Sequence, residues 1–163
     1  MYISKSVHKV SDFIDRICCT VIIILIALMV LVTSMQIICR VFFSALSWSE
    51  ELTRYLLVYS TFLGAGSVYK KNGHISVLIV QQLLPPKFQK YVALFVNVLC
   101  GILFGIAAFY GFKYMKLQGN QLSAALRVPM KYIYMSIPIG FSIMILHVID
   151  NIINTHAEEG GVN

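Results

Sequence analysis

Glu50, Glu51 and Arg54 are the charged residues whose types and spacing point most directly to a role. Arg54 follows Glu50 by four residues and Glu51 by three, the separations at which side chains meet on a helix, so we expect a carboxylate–guanidinium pair. Carboxylates also stabilise the N-terminal end of a helix, where backbone N–H groups lack partners. Two roles stay open for this group: a capped helix end at a membrane surface, or a contact with a partner protein.

Histidine and cysteine offer a second kind of chemistry. His74 and His147 could lie toward the same side of a membrane, and imidazole is a usual axial ligand of haem, so a small membrane redox carrier is the alternative function. His74 follows Asn72 and Gly73 at the start of a loop, where a hydrogen-bonded surface histidine is the commoner outcome. The four cysteines contain no CxxC motif, and we predict free thiols, no metal site and no cofactor.

These residues are set in an unusually apolar chain. Hydrophobic residues make up 58% of its 163 residues and charged residues only 12%, whereas a soluble domain carries about 25% charged residues. The apolar residues come in blocks about as long as a bilayer is thick, which predicts an all-α integral membrane protein. The net charge of +6 does not indicate a nucleic acid partner, because the basic residues lie at the ends of the blocks, as membrane anchors do.

Four blocks are long enough to cross a bilayer as helices, within a single membrane domain that covers residues 1–163. They run from Ile17 to Cys39, from Leu52 to Tyr69, from Tyr91 to Phe112 and from Tyr132 to about Ile153. A further apolar run, from Ile75 to Leu84, is too short to cross and stops at two prolines, which predicts an interfacial or short re-entrant segment.

Basic residues flank the blocks unevenly and predict an orientation. Lys5, Lys9 and Arg16 precede the first block, whereas Arg40 follows it. Because the first helix usually dominates orientation, we expect both termini in the cytoplasm and membrane lipid around the helices. Lys70, Lys71 and His74 are expected to act as further anchors at the membrane surface.

Small residues mark two candidate packing faces. On the second block they share one side of a helical wheel with Glu50 and Arg54, and on the third block Gly101 and Gly105 have GxxxG spacing. Such residues allow helices to approach closely in lipid, either inside one bundle or between subunits, while Pro138 predicts a kink in the fourth block. The candidate partner-interface residues are Trp48, Ser49, Glu50, Glu51, Arg54, Tyr55, Thr61, Gly64, Ala65, Gly101 and Gly105.

The predicted spans lack the features of a transport site. A transporter that works alone normally has ionisable side chains or broken helices near the membrane midplane. Here the interior of the third block offers only Asn97, and Asp150 falls near the end of the fourth. The chain is therefore predicted to be neither an enzyme nor a carrier in its own right.

The phrase WSEELTRYLLVYSTFLGAGSVYKKNGHISV, from Trp48 to Val77, resembles the small membrane subunit of tripartite ATP-independent periplasmic (TRAP) transporters. In that family a WSEE-L-x-R-Y phrase opens the second helix and a basic-Gly-His-Ile segment closes it. Two residues depart from the family pattern: Leu78 stands where many relatives have an acidic residue, and Lys131 where a bulky apolar or aromatic residue is frequent. A second match runs through Ser123, Ala125, Leu126, Pro129, Met130, Pro138 and Gly140.

The resemblance implies a DctQ-type small subunit in a bacterial inner (plasma) membrane. Such a subunit binds a large, many-helix TRAP permease subunit that holds the substrate and sodium sites, while a soluble periplasmic substrate-binding protein captures the organic anion. An accessory scaffold role in the sodium-driven symport of anions such as dicarboxylates or sialic acid is what the resemblance implies for this chain.

Overall fold

The computed structural model describes residues 2–42, 44, 46–72 and 86–157, and almost all of them are helical. This confirms the all-α prediction, whereas the segment predicted at Ile75–Leu84 lies outside the described residues. The helices are α1 (Tyr2–Phe42), α2 (Ser47–Asn72), α3 (Pro86–Leu117), the short α4 (Lys131–Tyr134) and α5 (Ser136–Ala157).

Three helical segments are long and apolar enough to cross a membrane: Val7–Phe42, Leu94–Leu117 and Lys131–Ile153. With its 26 residues α2 has the required length, but its arginine and its many small and polar residues make it less apolar than the other three. The described residues thus contain three candidate spans, and the fourth, in α2, stays a prediction.

Three helices begin well before the apolar blocks predict. α1 starts at Tyr2 instead of Ile17, α2 at Ser47 instead of Leu52, and α3 at Pro86 instead of Tyr91. Proline suits the first position of a helix, because the N–H group that it lacks would have no helical partner there. Asp12 and Asp15 consequently lie on α1, ahead of the predicted membrane block, because a helix does not have to begin where the apolar residues begin.

Helix α5 lies at the centre of the packing and contacts α1, α2 and α3. About a third of its candidate span is buried (33%), against 6% for the α1 span and 11% for the α3 span. The contact with α2 is close, because a Cβ added at Gly140 would lie only 2.8 Å from the Cβ of Phe62. Small residues let helix backbones approach closely, and in lipid this close packing takes the place of the hydrophobic effect between helices.

The helix that starts at Lys131 is interrupted at Met135, between α4 and α5. The interruption lies close to Pro138, whose ring has no N–H group for the carbonyl of Tyr134 and crowds that carbonyl. Backbone bonding continues past the break, since Ile139 N donates to Met135 O at 3.3 Å.

Contacts between helices define two polar ends of the bundle. At the N-terminal end, residues 8–19 of α1 lie beside residues 67–71 of α2 and 147–150 of α5. At the loop end, Gln36 of α1 contacts Glu50 of α2, and Glu51 of α2 contacts the loop that follows α3. The apolar parts of the helices connect these two ends.

Candidate functional site

The carboxylate of Glu51 binds three consecutive backbone N–H groups in the loop between α3 and α4. Its Oε2 accepts hydrogen bonds from Leu126 N at 2.7 Å and Ala125 N at 2.8 Å, and its Oε1 accepts one from Ala124 N at 3.2 Å. The hydroxyl of Tyr55, one turn further along α2, also donates to Oε1. Successive backbone N–H groups form a concave site for an anion, and here the anion is a side chain of the same protein.

These donors hold the pKa of Glu51 well below its ordinary value of 4.5, at about 2. The Tyr55 hydroxyl is the largest cause; partial burial acts in the opposite direction, and the N–H groups of Leu126 and Ala125 lower the pKa further. The charged form of Glu51 is therefore the form that holds the loop at neutral pH.

The loop can present these N–H groups because it closes on itself. Ser123 N donates to Val128 O at 2.9 Å, and Val128 N donates to Ser123 Oγ at 3.2 Å. Met130 N donates to Gln121 O at 2.8 Å, outside this inner pair. Arg127 makes the reversal with a φ of 52°, a left-handed conformation that costs a residue with a side chain about 1–2 kcal/mol.

Glu51 thus joins two segments that the sequence analysis singled out separately, the WSEELTRY phrase and the stretch from Ser123 to Met130. A second contact between them is made by the Tyr55 hydroxyl, which lies 3.7 Å from the sulfur of Met130. The spacing of charges along one helix could not reveal this, because Glu51 and Leu126 are 75 residues apart in the chain.

The predicted pairing of Arg54 with a neighbouring carboxylate was wrong for this chain. Glu50 Oε1 accepts a hydrogen bond from Gln36 Nε2 of α1 at 3.2 Å, and Glu51 is occupied by the loop. Arg54 is exposed, and in the part of the chain that the structure describes it takes part in no ion pair. The loop N–H groups need an acceptor, whereas an exposed guanidinium is hydrated at little cost.

Two further interface candidates lie at the start of α2. Ser49 is fully buried, and its hydroxyl donates to the carbonyl of Leu46 at 2.7 Å. Trp48 is partly exposed. Ser49 therefore supports the start of the helix within this chain, while a contact of Trp48 with another subunit stays a prediction.

The small residues predicted along α2 divide between packing and exposure. Gly64 is half-buried, and a Cβ there would lie 4.0 Å from Ile22 of α1. Thr61 and Ala65 are exposed. The buried contact with α5 is made instead at Gly66, where a Cβ would lie 3.1 Å from Ile143.

The GxxxG glycines of α3 have different surroundings. A Cβ at Gly101 would lie 3.3 Å from the side chain of Val148, so this glycine packs against α5. A Cβ at Gly105 would meet no described atom within 4 Å. A partner contact at Gly105 stays a prediction.

At the N-terminal end, two ion pairs that the sequence analysis missed join α1 to α2. Lys70 Nζ donates to Asp12 Oδ1 at 2.6 Å, and Lys71 Nζ lies 3.8 Å from Asp15 Oδ2. Asp15 also accepts a hydrogen bond from the buried hydroxyl of Ser67. Lys70 and Lys71, predicted as membrane anchors, thus have partners within the chain, whereas His74 lies outside the described residues.

The same end of α1 is tied to α5 by two histidines. His8 Nδ1 lies 3.1 Å from Asp150 Oδ2, and the Ser11 hydroxyl lies 2.9 Å from Nδ1 of His147. His147 is 1% exposed, so its ring is enclosed where the helices meet. The signal that could have found this cluster is the run of polar residues ahead of the first apolar block, read as a continuation of the helix.

In a comparison with known proteins, residues 29–157 match the family described as "Tripartite ATP-independent periplasmic transporters, DctQ component". This range contains both segments that Glu51 joins, and it confirms the resemblance drawn from the sequence. The match gives no support to the alternative of a haem carrier.

Individual relatives agree with the family match. The chain is 30% identical over 105 residues to the sialic acid TRAP transporter permease protein SiaT of Haemophilus influenzae (strain 86-028NP), covering 64% of this chain and 17% of SiaT. It is 31% identical over 80 residues to a putative TRAP transporter small permease protein of Haemophilus influenzae, covering 48% and 47% of the two chains.

A third relative is the sialic acid TRAP transporter small permease protein SiaQ of Vibrio cholerae, 23% identical over 107 residues that cover 66% of this chain and 62% of SiaQ. The chain thus matches less than two thirds of the length of each of these three relatives. Because the family match extends over most of its residues, the chain belongs to the DctQ component family of tripartite ATP-independent periplasmic transporters.

Proposed function

We propose that the chain is the accessory small permease subunit of a TRAP transporter and acts as a scaffold. It binds a large membrane subunit, and the complex takes up organic anions of the dicarboxylate or sialic acid type, driven by sodium. A periplasmic binding protein delivers the anion. The complex lies in the bacterial inner membrane.

The observation that carries the scaffold role is the distribution of charge. In the described residues, Asp, Glu, Lys, Arg and His side chains lie toward the two ends of the bundle, with none between Thr20 and Gln36 in α1 or between Asn97 and Phe112 in α3. Transport sites normally use charged side chains or unwound helices near the midplane. A bundle without them is suited to support a partner that has them.

The relatives support a partner of much greater size. The matched region makes up 17% of SiaT and 18% of the isethionate TRAP transporter permease protein DctMQ of Oleidesulfovibrio alaskensis. In those proteins a segment similar to this chain is therefore part of a far longer permease. We infer that this chain supplies the same segment as a separate subunit. The names of the relatives also support an organic anion as substrate.

We further propose that α2 is a fourth span, which places both termini on the same side of the membrane. The basic residues ahead of the first apolar block favour the cytoplasm as that side. Helix α2 packs against α1 and α5, both of which belong to candidate spans. It also connects the two polar ends, through Glu51 at one and Lys70 at the other. Labelling of single cysteines at Lys9 and Arg40 by an impermeant maleimide in spheroplasts tests this orientation. Labelling at position 9 would contradict it.

Co-purification and uptake test the function itself. A tagged copy of this chain is expected to retain the large permease subunit in detergent. Liposomes with both subunits and the binding protein are expected to show sodium-dependent uptake, and liposomes with this chain alone are expected to show none. Uptake by this chain alone would refute the scaffold role.

A further inference from the structure

Three lysines gather where α3 ends and α4 begins. Lys113 and Lys116 lie in the last turns of α3, Lys131 is the first residue of α4, and all three are exposed. Gly119 shows how close the two segments come, because a Cβ added there would lie 3.3 Å from Lys116 O and 3.8 Å from the Cβ of Lys131. Two candidate membrane spans end in this region, so these lysines lie at a membrane surface.

Among the residues that the structure describes, no carboxylate forms an ion pair with this group, which we call the lysine cluster. Glu50 and Glu51 are the only acidic residues between Asp15 and Asp150. Glu50 contacts Gln36 of α1, and Glu51 is held by the loop N–H groups. The lysine cluster therefore presents three positive charges that no carboxylate in the described ranges compensates.

Apolar and aromatic side chains surround the charges on the same surface. Lys116 Nζ lies 4.7 Å from the centre of the Phe112 ring, and Lys131 Nζ lies 5.1 Å from that of the Tyr132 ring. Phe112 is 47% exposed and Tyr132 is 50% exposed, and Leu117 beside them is 78% exposed. A cationic centre bordered by exposed apolar groups is complementary to a phosphate joined to acyl chains.

We propose that the lysine cluster binds the headgroup of an anionic phospholipid, with phosphatidylglycerol as the representative chemistry. The ammonium groups contact the phosphate, while Phe112, Leu117 and Tyr132 contact the glycerol backbone and the upper acyl chains. A zwitterionic headgroup fits less well, because its own cation would lie among three lysines. The bound lipid holds the end of α3 at the membrane surface, next to the loop that Glu51 binds.

Photocrosslinking of the full chain in lipid nanodiscs tests the proposal. Nanodiscs of phosphatidylcholine carry a small fraction of photoactivatable phosphatidylglycerol or, in the matched arm, photoactivatable phosphatidylcholine. Mass spectrometry then locates the labelled peptides. We expect phosphatidylglycerol to label the peptides of residues 109–117 and 131–135 severalfold more strongly, since lysine ammonium groups attract anionic headgroups and not zwitterionic ones.

Variants separate charge from packing. Replacing all three lysines by glutamine (K113Q, K116Q and K131Q together) is expected to reduce labelling to the phosphatidylcholine level, and replacing them by arginine is expected to preserve it. Lys9→Gln, which removes an exposed charge at the N-terminal end, should leave labelling at the loop end unchanged. Circular dichroism and the melting temperature verify that each variant is folded.

Three outcomes would overturn the proposal. The first is equal labelling of the parent chain by the two lipids, and the second is an undiminished preference for phosphatidylglycerol in the triple glutamine variant. The third is loss of labelling when inorganic phosphate is added, because the cluster would then bind a free anion instead of a lipid.

Discussion

The carboxylate of Glu51 accepts the backbone N–H of Leu126 at 2.7 Å and thereby joins the start of α2 to the loop that precedes α4. Neither segment could hold this geometry alone, because the loop needs an acceptor for its three N–H groups and the carboxylate of Glu51 needs donors. The two stretches that most resemble the family are therefore one structural unit.

Glu51→Gln should loosen the loop. The substitution removes the charge and one acceptor oxygen, so amide hydrogens of residues 124–126 are expected to exchange severalfold faster, and the melting temperature should fall by a few degrees. Hydrogen exchange with mass spectrometry measures the first effect. Glu50→Gln is the matched control, since that carboxylate contacts a single side-chain amide. Equal exchange in both variants would contradict the assigned role of Glu51.

The loop contact should also depend on pH. The pKa of Glu51 is about 2 in the folded protein and ordinarily 4.5, so its charge stabilises the fold fully above the ordinary pKa, and this stability is lost as the pH falls toward about 2. We expect the difference in melting temperature between the parent chain and Glu51→Gln to shrink across this range. A difference that stays constant down to the lowest pH would show that the charge of Glu51 is not involved.

Gly140→Ala should destabilise the bundle, because the added Cβ would lie 2.8 Å from the Cβ of Phe62 and 3.1 Å from its carbonyl oxygen. Overpacking of this kind costs about 1–3 kcal/mol. Gly105→Ala is the matched control, as its Cβ would meet no described atom within 4 Å and the gain in helix propensity is the same. Thermal unfolding in detergent compares the two, and similar melting temperatures would argue against the close contact of α2 and α5.

The ion pair between Lys70 and Asp12 should appear as a coupling free energy. Lys70 Nζ and Asp12 Oδ1 are 2.6 Å apart, and the Lys70 side chain is only 13% exposed. A double-mutant cycle with Lys70→Gln and Asp12→Asn is expected to give about 1 kcal/mol, near the upper limit for accessible pairs. Strictly additive effects of the two substitutions would mean that the ion pair contributes nothing to the stability of the fold.

Arg54 separates folding of the chain from assembly of the complex. Arg54 is exposed and forms no ion pair among the described residues. Arg54→Glu should therefore leave the free energy of unfolding of the isolated chain within about 0.5 kcal/mol of the parent value. We expect the same change to reduce co-purification of the large subunit more than Arg54→Lys does, since a carboxylate partner would be repelled. Normal assembly and uptake by Arg54→Glu would remove Arg54 from the interface.

The apolar blocks predicted the all-α architecture. The family resemblance singled out the stretch from Ser123 to Met130. The apolar blocks also place the start of the first helix at Ile17, which leaves Asp12 and Asp15 outside the predicted helix. Hydropathy reports where lipid contact begins, whereas helix length also depends on the partners that Asp12 and Asp15 find on α2.

The role of Glu51 was missed for a different reason. Spacing arguments compare residues one turn apart, and they favoured Arg54. The observed partners belong to a loop whose shape depends on a left-handed residue, Arg127, that is not glycine. A local sequence pattern encodes neither the geometry of this loop nor its contact with Glu51, which lies 75 residues before Leu126.

The long separation between Glu51 and its donors sets an order for biosynthesis. At about 5–20 residues per second, a ribosome needs roughly 4–15 s to produce the 75 residues between Glu51 and Leu126. During that interval the start of α2 lacks its final contacts, which only the loop after α3 supplies. Release of a truncated nascent chain before Ala124 would therefore yield a protein in which Glu51 lacks all three of its backbone donors.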